Sequence, residues 1–474
     1  GFYTTGLSVA DATPCRKDVV STVTWNASEL RHQRVDLSTS LTDVAGVMAL
    51  SGDCATEPPD GDWSNPSTAI SIDLQPNGTI ANDLDVSNRI IFISAKPTGS
   101  GDNFFIIDAS DLSNPKIYST STNPISSDTL EATLNDIDVA GDYAFVANSY
   151  KTKGHGSNPD TYSNQLQVVD VSNISNPRLE SSLSLDDNSI PIAQRVMSSS
   201  PTAGGGIIYY YNNKVYLGLD RTDGPELHIF DVSNPSSPSW IGSREMNHNI
   251  NNIVVRDKYA YLVMTTSDDN DKELAILNIG NPANITPYFV FGVPEPWGFN
   301  ASGTLDGLSE YLIGDKLYLG REGGTATEPD LLVIDVSNPT STLSLLGSTS
   351  TMTNINAISV AGKLAFLATS ASNEEFQVLD ISDPENIEKV SKCDSKNTAC
   401  NYSQDATGID YEDNMVYTSN KSQDAVRIIR PSQCSDDVDN DGDGQIDVTD
   451  PQCHSDGNAN NQSSYESGDN DESK

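Results

Sequence analysis

The fold is decided by the stretch Leu331-Leu332-Val333-Ile334-Asp335-Val336-Ser337-Asn338-Pro339. It is an apolar run that stops at an Asp and soon meets Asn-Pro. An Asp carboxylate can accept hydrogen bonds from N–H groups two residues further on, and Pro fixes φ and removes a backbone donor. The stretch therefore predicts a β-strand that runs into a turn.

The same pattern recurs along the chain. Close copies are residues 227–235 and 376–384, looser copies have strands ending at Asp108, Asp170 and Asn278, and a degenerate seventh copy is residues 425–431. Upstream of each copy, two apolar runs are joined by a tight polar turn, as in residues 137–146, which predicts a β-hairpin. A weaker apolar stretch such as residues 239–243 follows each Asn-Pro. Each repeat thus reads as four antiparallel strands.

Seven repeats over residues 70–431 give about 52 residues each, near the length of a propeller blade. One four-stranded blade cannot cover both of its faces, whereas seven blades around an axis can. We therefore predict an all-β, seven-bladed β-propeller of four-stranded antiparallel blades over residues 69–431. The seventh repeat lacks an outer strand, and the alternating residues 69–74 are predicted to supply it. A pair of β-sandwiches, the structural alternative, does not explain a fixed repeat.

The motif Asp-Val-Ser-Asn-Pro, which begins at Asp231 and at Asp335, resembles the repeat of the LVIVD-repeat family of bacterial and archaeal surface proteins. The resemblance extends over about residues 80–431 and is weaker at Asp108 and Asn278. Members of that family are expected to form propellers. The resemblance implies an extracellular setting and a binding role, and it brings no catalytic residues with it.

Composition narrows the class of partner. The chain has 474 residues, a formal net charge of −40 and a pI of about 4.1. Nucleic acid is excluded as a partner because its phosphates would be repelled. No apolar run reaches the roughly 18 residues of a membrane helix, and no signal peptide is present, so we expect a mature or trimmed form of an extracellular or cell-surface protein.

Six cysteines fall into three local groups, which favours three disulfides and an oxidising compartment: Cys15 with Cys54, Cys393 with Cys400, and Cys434 with Cys453. Candidate N-glycosylation sequons occur at Asn26, Asn77, Asn173, Asn284, Asn300, Asn401, Asn420 and Asn461. In a chain this rich in Asn, Ser and Thr, several sequons arise by chance.

Residues 1–68 do not follow the blade pattern. Leu30, Leu37, Leu41, Val44 and Met48 fall at helical spacing and predict an amphipathic helix over residues 28–50. Such a helix either docks on the propeller or is an assembly element like the stalk of a pilin.

Long connections are placed unevenly in the repeats. Those between second and third strands and those between blades emerge on one face of the disc, which we call the loop-rich face. Long loops on a rigid scaffold are where binding usually occurs. The candidate binding residues there are His155, Tyr162, Arg195, Trp297, Phe299 and Arg321.

Polar residues also begin the first strand of several blades. Examples are Asn82-Asp83, Asn135-Asp136, Asn252, Asn356 and Asp410. First strands surround the axis of a propeller, so these side chains either form a polar ring that holds a cation or water, or bond neighbouring strand ends.

The strongest chemical motif follows the last blade, in a predicted unit of residues 432–453. Residues 439–450 have the spacing of an EF-hand calcium loop, and the predicted Ca²⁺ ligands are Asp439, Asp441, Asp443, Gln445, Asp447 and Asp450. Asp rather than Glu at the last position has a shorter reach, and no helices flank the loop. The stretch is similar to the calcium loops of thrombospondin type 3 repeats. A Cys434–Cys453 bridge would staple it, and residues 454–474 form an acidic polar tail expected to be flexible alone.

These features predict a non-enzymatic, calcium-binding propeller that mediates adhesion by binding a protein or glycan through its loop-rich face. None of the five histidines pairs with another at metal-ligand spacing. A carboxylate-only calcium hydrolase in the channel is the enzymatic alternative. A further alternative, from a third class of function, is a structural subunit that binds copies of itself in an extracellular filament or pilus-like appendage.

Overall fold

The structure is a computed structural model. It describes the backbone of residues 3–13, 16–28 and 31–42, together with residues 59–74, 79–96, 102–119, 133–148, 164–196, 204–265, 273–291, 305–324, 328–340, 343–391, 399–402, 404–422, 424–440 and 443–470. No helix among these residues is long and apolar enough to cross a membrane.

An N-terminal antiparallel sheet precedes the repeats. Its strands, in spatial order, are β1 (Tyr3–Thr13), β2 (Arg16–Ser28) and β3 (Arg31–Thr42). The predicted helix over residues 28–50 is therefore wrong for the part that the structure describes, and residues 43–50 lie outside it. Leu37 and Leu41 fit a period of two as well as a helical period, and Val35, Leu37, Thr39 and Leu41 alternate as in a strand.

The rest of the strands form seven four-stranded antiparallel sheets, which confirms the predicted propeller. The first strand met is β4 (Ser67–Ile72), and three complete blades follow it. They are β5 (Ile80–Ser87), β6 (Ile90–Lys96), β7 (Phe104–Asp108) and β8 (Lys116–Ser119); β9 (Leu134–Ala140), β10 (Tyr143–Asn148), β11 (Leu166–Asp170) and β12 (Arg178–Leu183); and β13 (Gly205–Tyr211), β14 (Lys214–Leu219), β15 (Leu227–Asp231) and β16 (Ser239–Arg244).

The second half of the ring repeats this order. Its blades are β17 (Ile250–Arg256), β18 (Tyr259–Met264), β19 (Leu274–Asn278) and β20 (Thr286–Phe291); β21 (Gly307–Ile313), β22 (Lys316–Arg321), β23 (Leu331–Asp335) and β24 (Ser344–Thr349); β25 (Ile355–Ala361), β26 (Leu364–Thr369), β27 (Phe376–Asp380) and β28 (Glu388–Lys389); and β29 (Ala406–Glu412), β30 (Met415–Asn420) and β31 (Val426–Arg430) with β4.

Strand β4 completes the seventh blade by pairing with β31, from Ser67 opposite Arg430 to Ile72 opposite Val426. The start of the propeller is thereby hydrogen-bonded to its end, and the ring has no open blade. Just before β4, the buried ring of Trp63 packs edge-on against Phe366 of the sixth blade, with centroids 4.8 Å apart.

The core is divided among the junctions between blades. Seven apolar clusters are present among the described residues, and each joins two neighbouring blades. Second and third strands are apolar on both sides because a blade covers each face, as in β10 and β11, whose residues are almost all buried. This explains why the repeat reads as a continuous apolar run rather than an alternating one.

The Asp that ends the third strand in five of the seven blades caps the turn after it, as the sequence predicted. In β23 the carboxylate of Asp335 accepts the Ser337 N–H at 2.8 Å, and Asp231 accepts the Ser233 N–H at 2.9 Å. The hydroxyls of Ser337 and Ser233, and then these N–H groups, lower the pKa of the two carboxyls, so the turn is fixed by a charged group.

Candidate functional site

Two large apolar side chains stand out on the loop-rich face. Ile192, in the connection between the second and third blades, is 74% exposed, and Met352, between the fifth and sixth, is 68% exposed. Met352 also has a φ of 60°, a left-handed conformation that residues other than glycine rarely adopt unless their surroundings impose it. Strained backbone persists where the surroundings fix it, and it is often found at ligand-binding sites, which makes Met352 a candidate contact residue.

A buried acid imposes that conformation. Asp330, fully buried just before β23, accepts the N–H groups of Thr351 at 2.7 Å and Thr353 at 3.3 Å, on either side of Met352. Glu226 does the same between the third and fourth blades, where it accepts from Met246 and from Asn247, another residue with positive φ. The third strands thus fix the shape of the loops.

Sequence reasoning missed this set of buried residues. They share one position, immediately before the third strand of a blade, and they are Asn103, Gln165, Glu226, Glu273, Asp330 and Glu375. The signal was present in the sequence, because six of the seven repeats place an acid or amide directly before the apolar run.

Of the six predicted binding residues, the structure describes only Arg195 and Arg321. His155, Tyr162, Trp297 and Phe299 lie outside the described residues. Arg195 is half-buried and donates from Nε to the Ile190 carbonyl at 2.7 Å.

Arg321 does not lie on an exposed binding surface, contrary to the prediction. It is 4% exposed, pairs with the buried Glu273 at 3.3 Å and donates to the Pro329 carbonyl at 2.9 Å. A guanidinium enclosed by these partners is a structural ion pair between the fourth and fifth blades. No pattern within one repeat indicates this pairing, because Glu273 belongs to the previous repeat.

The C-terminal unit is built around a disulfide between Cys434 and Cys453, whose Cα atoms are 5.5 Å apart. Cys400 is also disulfide-bonded, whereas Cys15, Cys54 and Cys393 lie outside the described residues. Within the bridged segment, Asp447 accepts the N–H groups of Asp436 at 3.1 Å and Asp437 at 3.0 Å.

The loop of residues 439–450 is closed by its own carboxylates. Asp439 accepts the Gly444 N–H at 3.0 Å, Asp443 accepts the Gln445 N–H at 2.8 Å, and the buried Asp450 accepts the Gln452 N–H at 2.7 Å. Gly444 takes a φ of 90°, which the sharp turn requires. Asp441 lies outside the described residues, and the residues inside them include no group of three or more His, Cys, Asp and Glu side chains suited to a metal ion.

Residues 454–470 of the tail are packed rather than free. The buried His454 ring contacts the Val448 carbonyl at 3.0 Å and the Ser464 hydroxyl at 3.0 Å. Further on, Ser467 donates to Asp62 at 2.7 Å and Asn470 to the Asn65 carbonyl at 2.7 Å. The tail therefore closes over the segment that leads into β4, and the expectation of flexibility is wrong for this part of it.

The sequons differ in accessibility. Asn173 and Asn284 are exposed, whereas Asn420 is fully buried and donates to the Asp424 carbonyl at 2.7 Å, which leaves no room for a glycan. Asn401 and Asn461 are half-buried and hydrogen-bonded to Asn373 and Asp456. Asn77, Asn300 and the Asn26 side chain lie outside the described residues.

The polar residues at the starts of the first strands form a ring of hydrogen bonds around the axis. Each bond runs from a side chain of one blade to a backbone carbonyl of the next, at 2.6–2.8 Å: Asn82 to Leu134, Asn135 to Gly205, Asn251 to Gly307, Asn356 to Ala406 and Thr407 to Ala81. The last of these bonds joins the seventh blade to the first. Of the two interpretations of this pattern, bonding of strand ends applies to Asn82, Asn135 and Asn356; in the fourth blade Asn251 makes this bond, and the predicted Asn252 instead accepts the N–H of Ile253.

Aspartates extend this ring along the axis. Asp85 accepts the Val139 N–H, Asp138 the Tyr210 N–H and Asp410 the Val86 N–H, each on the next blade, at 2.5–3.0 Å. Burial raises the pKa of Asp138 to about 7, and burial with the charge of Asp138 raises the pKa of Asp85 well above its usual value.

The comparisons with known proteins bear on the repeats and the fold. The profile of the LVIVD repeat matches residues 133–151, 161–184, 222–245, 249–291, 326–351 and 354–395. A comparison with curated proteins finds no match.

Solved structures similar to this chain include three with low sequence identity. They are the mitotic checkpoint complex (10% identity, TM-score 0.49, 78% of this chain and 97% of that chain), a catalytically inactive virginiamycin B lyase from Staphylococcus aureus with quinupristin (13%, 0.47, 76% and 98%) and BamB from Moraxella catarrhalis (12%, 0.42, 77% and 97%). The sequence match and the strand topology together establish that this chain carries LVIVD repeats and folds as a seven-bladed β-propeller.

Proposed function

We propose that this chain is a non-enzymatic, secreted or cell-surface protein that binds a protein or glycan partner through the loop-rich face of its propeller. The observation that carries the proposal is the pair of exposed apolar side chains, Ile192 and Met352, on connections between blades. They lie at junctions on different sides of the ring, so a partner that covers both spans the face.

Rigidity supports the same conclusion. Loops held in one conformation before binding lose little entropy when a partner docks. The connection around Met352 is held by Asp330, and the connection that contains Ile192 is held where Gln165 accepts the Leu185 N–H at 2.9 Å. A surface prepared in this way favours recognition of a fixed shape over an adaptable contact.

The test is binding of the labelled full chain to a glycan array and to cell-envelope material of the native source. Ile192→Ser with Met352→Ser is expected to lose most of the binding seen with the unaltered chain. Ile117→Ser is the matched control, because Ile117 is 44% exposed on an outermost strand, away from the loop-rich face. Equal binding by the double variant and the unaltered chain would refute the role of this face.

We also propose that residues 439–450 hold Ca²⁺. The support is the EF-hand-like spacing of the carboxylates, in a loop closed by the Asp439–Gly444 hydrogen bond and held between the two bridged cysteines. Asp439, Asp443, Asp447 and Asp450, with Asp441 and the Gln445 carbonyl, would supply the oxygen ligands that Ca²⁺ requires. The charge of the cation would offset the mutual repulsion of these carboxylates.

A calcium titration followed by limited proteolysis tests this assignment. Adding EDTA is expected to expose residues 434–453 to protease while the propeller stays folded. Asp439→Asn with Asp443→Asn is expected to abolish the calcium effect, and Asp456→Asn, which removes one carboxylate from the tail, is expected to preserve it. Unchanged proteolysis of the loop with and without calcium would exclude the site.

A filament subunit is the second candidate. One observation favours it: β1–β3 form a sheet of strands 11–13 residues long, and among the described residues both outer strands, β1 and β3, pair on one side only. Edge strands of this length can pair with strands of another copy. Electron microscopy of protein from its native source, with and without calcium, would show regular filaments for this candidate and isolated discs for a binding protein.

A further inference from the structure

A cavity of about 460 Å³ lies on the axis of the propeller. First strands of all seven blades line it, from the asparagine ring at one end to Arg256 and Gly314 at the other. Its volume is within the range of small-molecule sites. Its asparagine end lies on the side of the loop-rich face, because each first strand begins after a connection between blades, whereas the partner proposed above contacts the connections themselves.

Six carboxyl groups line the cavity. They are Asp83, Asp85, Asp136, Asp138, Glu310 and Asp410. Arg256 is the one cationic side chain among the described lining residues, and it is engaged elsewhere: it donates to the carbonyls of Gly314 and Val336 and lies 3.7 Å from Asp315. The cavity therefore carries more acidic groups than the cationic side chains among its described lining residues can pair with.

The aspartates have a structural role, which explains the presence of some of these acidic groups. One oxygen each of Asp85, Asp136, Asp138 and Asp410 accepts a backbone N–H of the next blade. Asp83 and Asp136 also share a hydrogen bond, which requires one proton between them. These contacts fix the carboxyls in place along the wall of the cavity.

Glu310, by contrast, does not accept a hydrogen bond from the next blade. It is 5% exposed and lines the cavity, and neither of its carboxylate oxygens meets a donor in hydrogen-bonding geometry. The nearby Val254 amide opposes only in part the effect of burial, which raises the pKa of Glu310 well above its usual value. At the same position the other six blades place Leu84, Ile137, Ile208, Ile253, Ile358 and Ile409. Burying an acid where an aliphatic residue suffices destabilises the fold unless a ligand meets it.

The arrangement of the charges selects the kind of cation. Five aspartates lie on the adjacent seventh, first and second blades, whereas Glu310 is on the fifth blade, across the ring. A single Ca²⁺ needs six to eight oxygens around one point, and the described residues offer no cluster of three acids suited to a metal. Two separated acidic regions, whose ionised form a bound cation favours, instead fit a ligand with at least two positive groups.

The remaining lining suits an organic cation. Tyr209 and Tyr311 contribute aromatic rings to the cavity wall, together with aliphatic residues such as Ile207 and Leu312. Aromatic faces attract ammonium groups, and aliphatic walls cover the methylene chain between them. We propose that the axial cavity binds a linear aliphatic polyamine, with one ammonium group at the aspartates of blades seven, one and two and another at Glu310.

The experiment is calorimetric titration of the full chain with spermidine at neutral pH. We expect saturable binding of one spermidine in the axial cavity. Glu310→Ile, the residue type of the other blades, is expected to weaken it at least about tenfold. Glu388→Gln is the matched control, because Glu388 is an exposed acid on the outer strand β28 and its loss leaves the cavity intact. Equal weakening by both variants would show surface attraction to a chain of charge −40 and overturn the proposal.

Two further arms keep the test decisive. Asp138→Asn retains an acceptor for the Tyr210 N–H, so it provides a second cavity variant should Glu310→Ile misfold, and it too is expected to weaken binding. Calcium is titrated into a chain with Asp439→Asn and Asp443→Asn. Tight calcium binding that Glu310→Ile abolishes, without spermidine binding, would make the cavity a metal site and refute the polyamine.

Discussion

At the scale of single residues, aspartate serves this fold in two opposite ways. The Asp that ends a third strand, such as Asp335, lies near the surface, and the Ser337 hydroxyl and N–H lower the pKa of its carboxyl. The Asp of a first strand, such as Asp138, lies beside the axis, where burial raises the pKa. One residue type therefore caps turns in its charged form and joins blades where charge is penalised.

Asp138 gives a prediction about pH. Burial and the charges of Asp83 and Asp410 raise its pKa to about 7 against an ordinary 3.8, while the Tyr210 N–H opposes them. The folded state then binds the proton more tightly than the unfolded chain, so its contribution to stability is full below about pH 4 and is lost as the pH rises through about 7. Asp138→Asn, which keeps an acceptor and no charge, is expected to raise the free energy of unfolding at pH 8 by on the order of 1–3 kcal/mol.

Denaturant unfolding of the two proteins at several pH values measures this difference. The gain from Asp138→Asn should shrink toward zero near pH 4, where the unaltered Asp138 is protonated in the folded protein. Asp335→Asn is the control of opposite sign, because the lowered pKa of Asp335 means that its loss should cost stability at pH 8. A gain at pH 4 as large as that at pH 8 would contradict the assigned protonation.

Arg321 gives a second prediction at this scale. Arg321→Ala is expected to destabilise the protein by about 3–5 kcal/mol, because it leaves Glu273 buried without its ion-pair partner. Arg321→Met with Glu273→Leu is expected to recover most of that loss in thermal or denaturant unfolding. Partner binding at the loop-rich face should persist in the double variant. Loss of binding there with full stability would return Arg321 to the binding surface.

At the scale of elements, β4 is the strand whose position is least evident from chain order. Strand β4 lies more than three hundred residues from β31 in the sequence, yet β4 is paired with β31 along its whole length. If the closure is part of the core, Ile72→Ala in β4 should cost about 2–4 kcal/mol, as should Ile428→Ala in β31. Ser71→Ala, an exposed neighbour, should change little. A neutral Ile72→Ala in denaturant unfolding would mean that β4 is a loosely attached edge.

The elements also show what the sequence could and could not predict. Blade strands were predictable because each repeat contains the same apolar run, turn and period. A degenerate copy, such as the seventh, can therefore be interpreted by comparison with the clearer copies. The sheet β1–β3 has no repeat, and the four-residue spacing of Leu37 and Leu41 fits a strand as well as a helix. The pairing of Arg321 with Glu273 arises only when blades stack, which no pattern within one repeat records.

At the scale of the whole molecule, the ring distributes its stability evenly. Seven apolar clusters at seven junctions replace a single core, and the polar bonds around the axis also run from blade to blade. Each blade is therefore stabilised by its two neighbours, and the closure through β4 joins the first blade to the last. We expect such a ring to unfold as one unit rather than blade by blade.

The charge of −40 gives a prediction about the molecule as a whole. Like charges spread over one surface repel each other more in the compact state than in the expanded chain. Salt shortens the screening length from about 30 Å at 0.01 M to about 3 Å at 1 M, so NaCl is expected to raise the unfolding temperature progressively over this range. KCl at equal concentration should act equally, since screening depends on ionic strength and not on the ion. Differential scanning calorimetry measures both series. An unfolding temperature that is insensitive to NaCl, or that differs markedly between the two salts, would show that specific sites, rather than the overall charge, control stability.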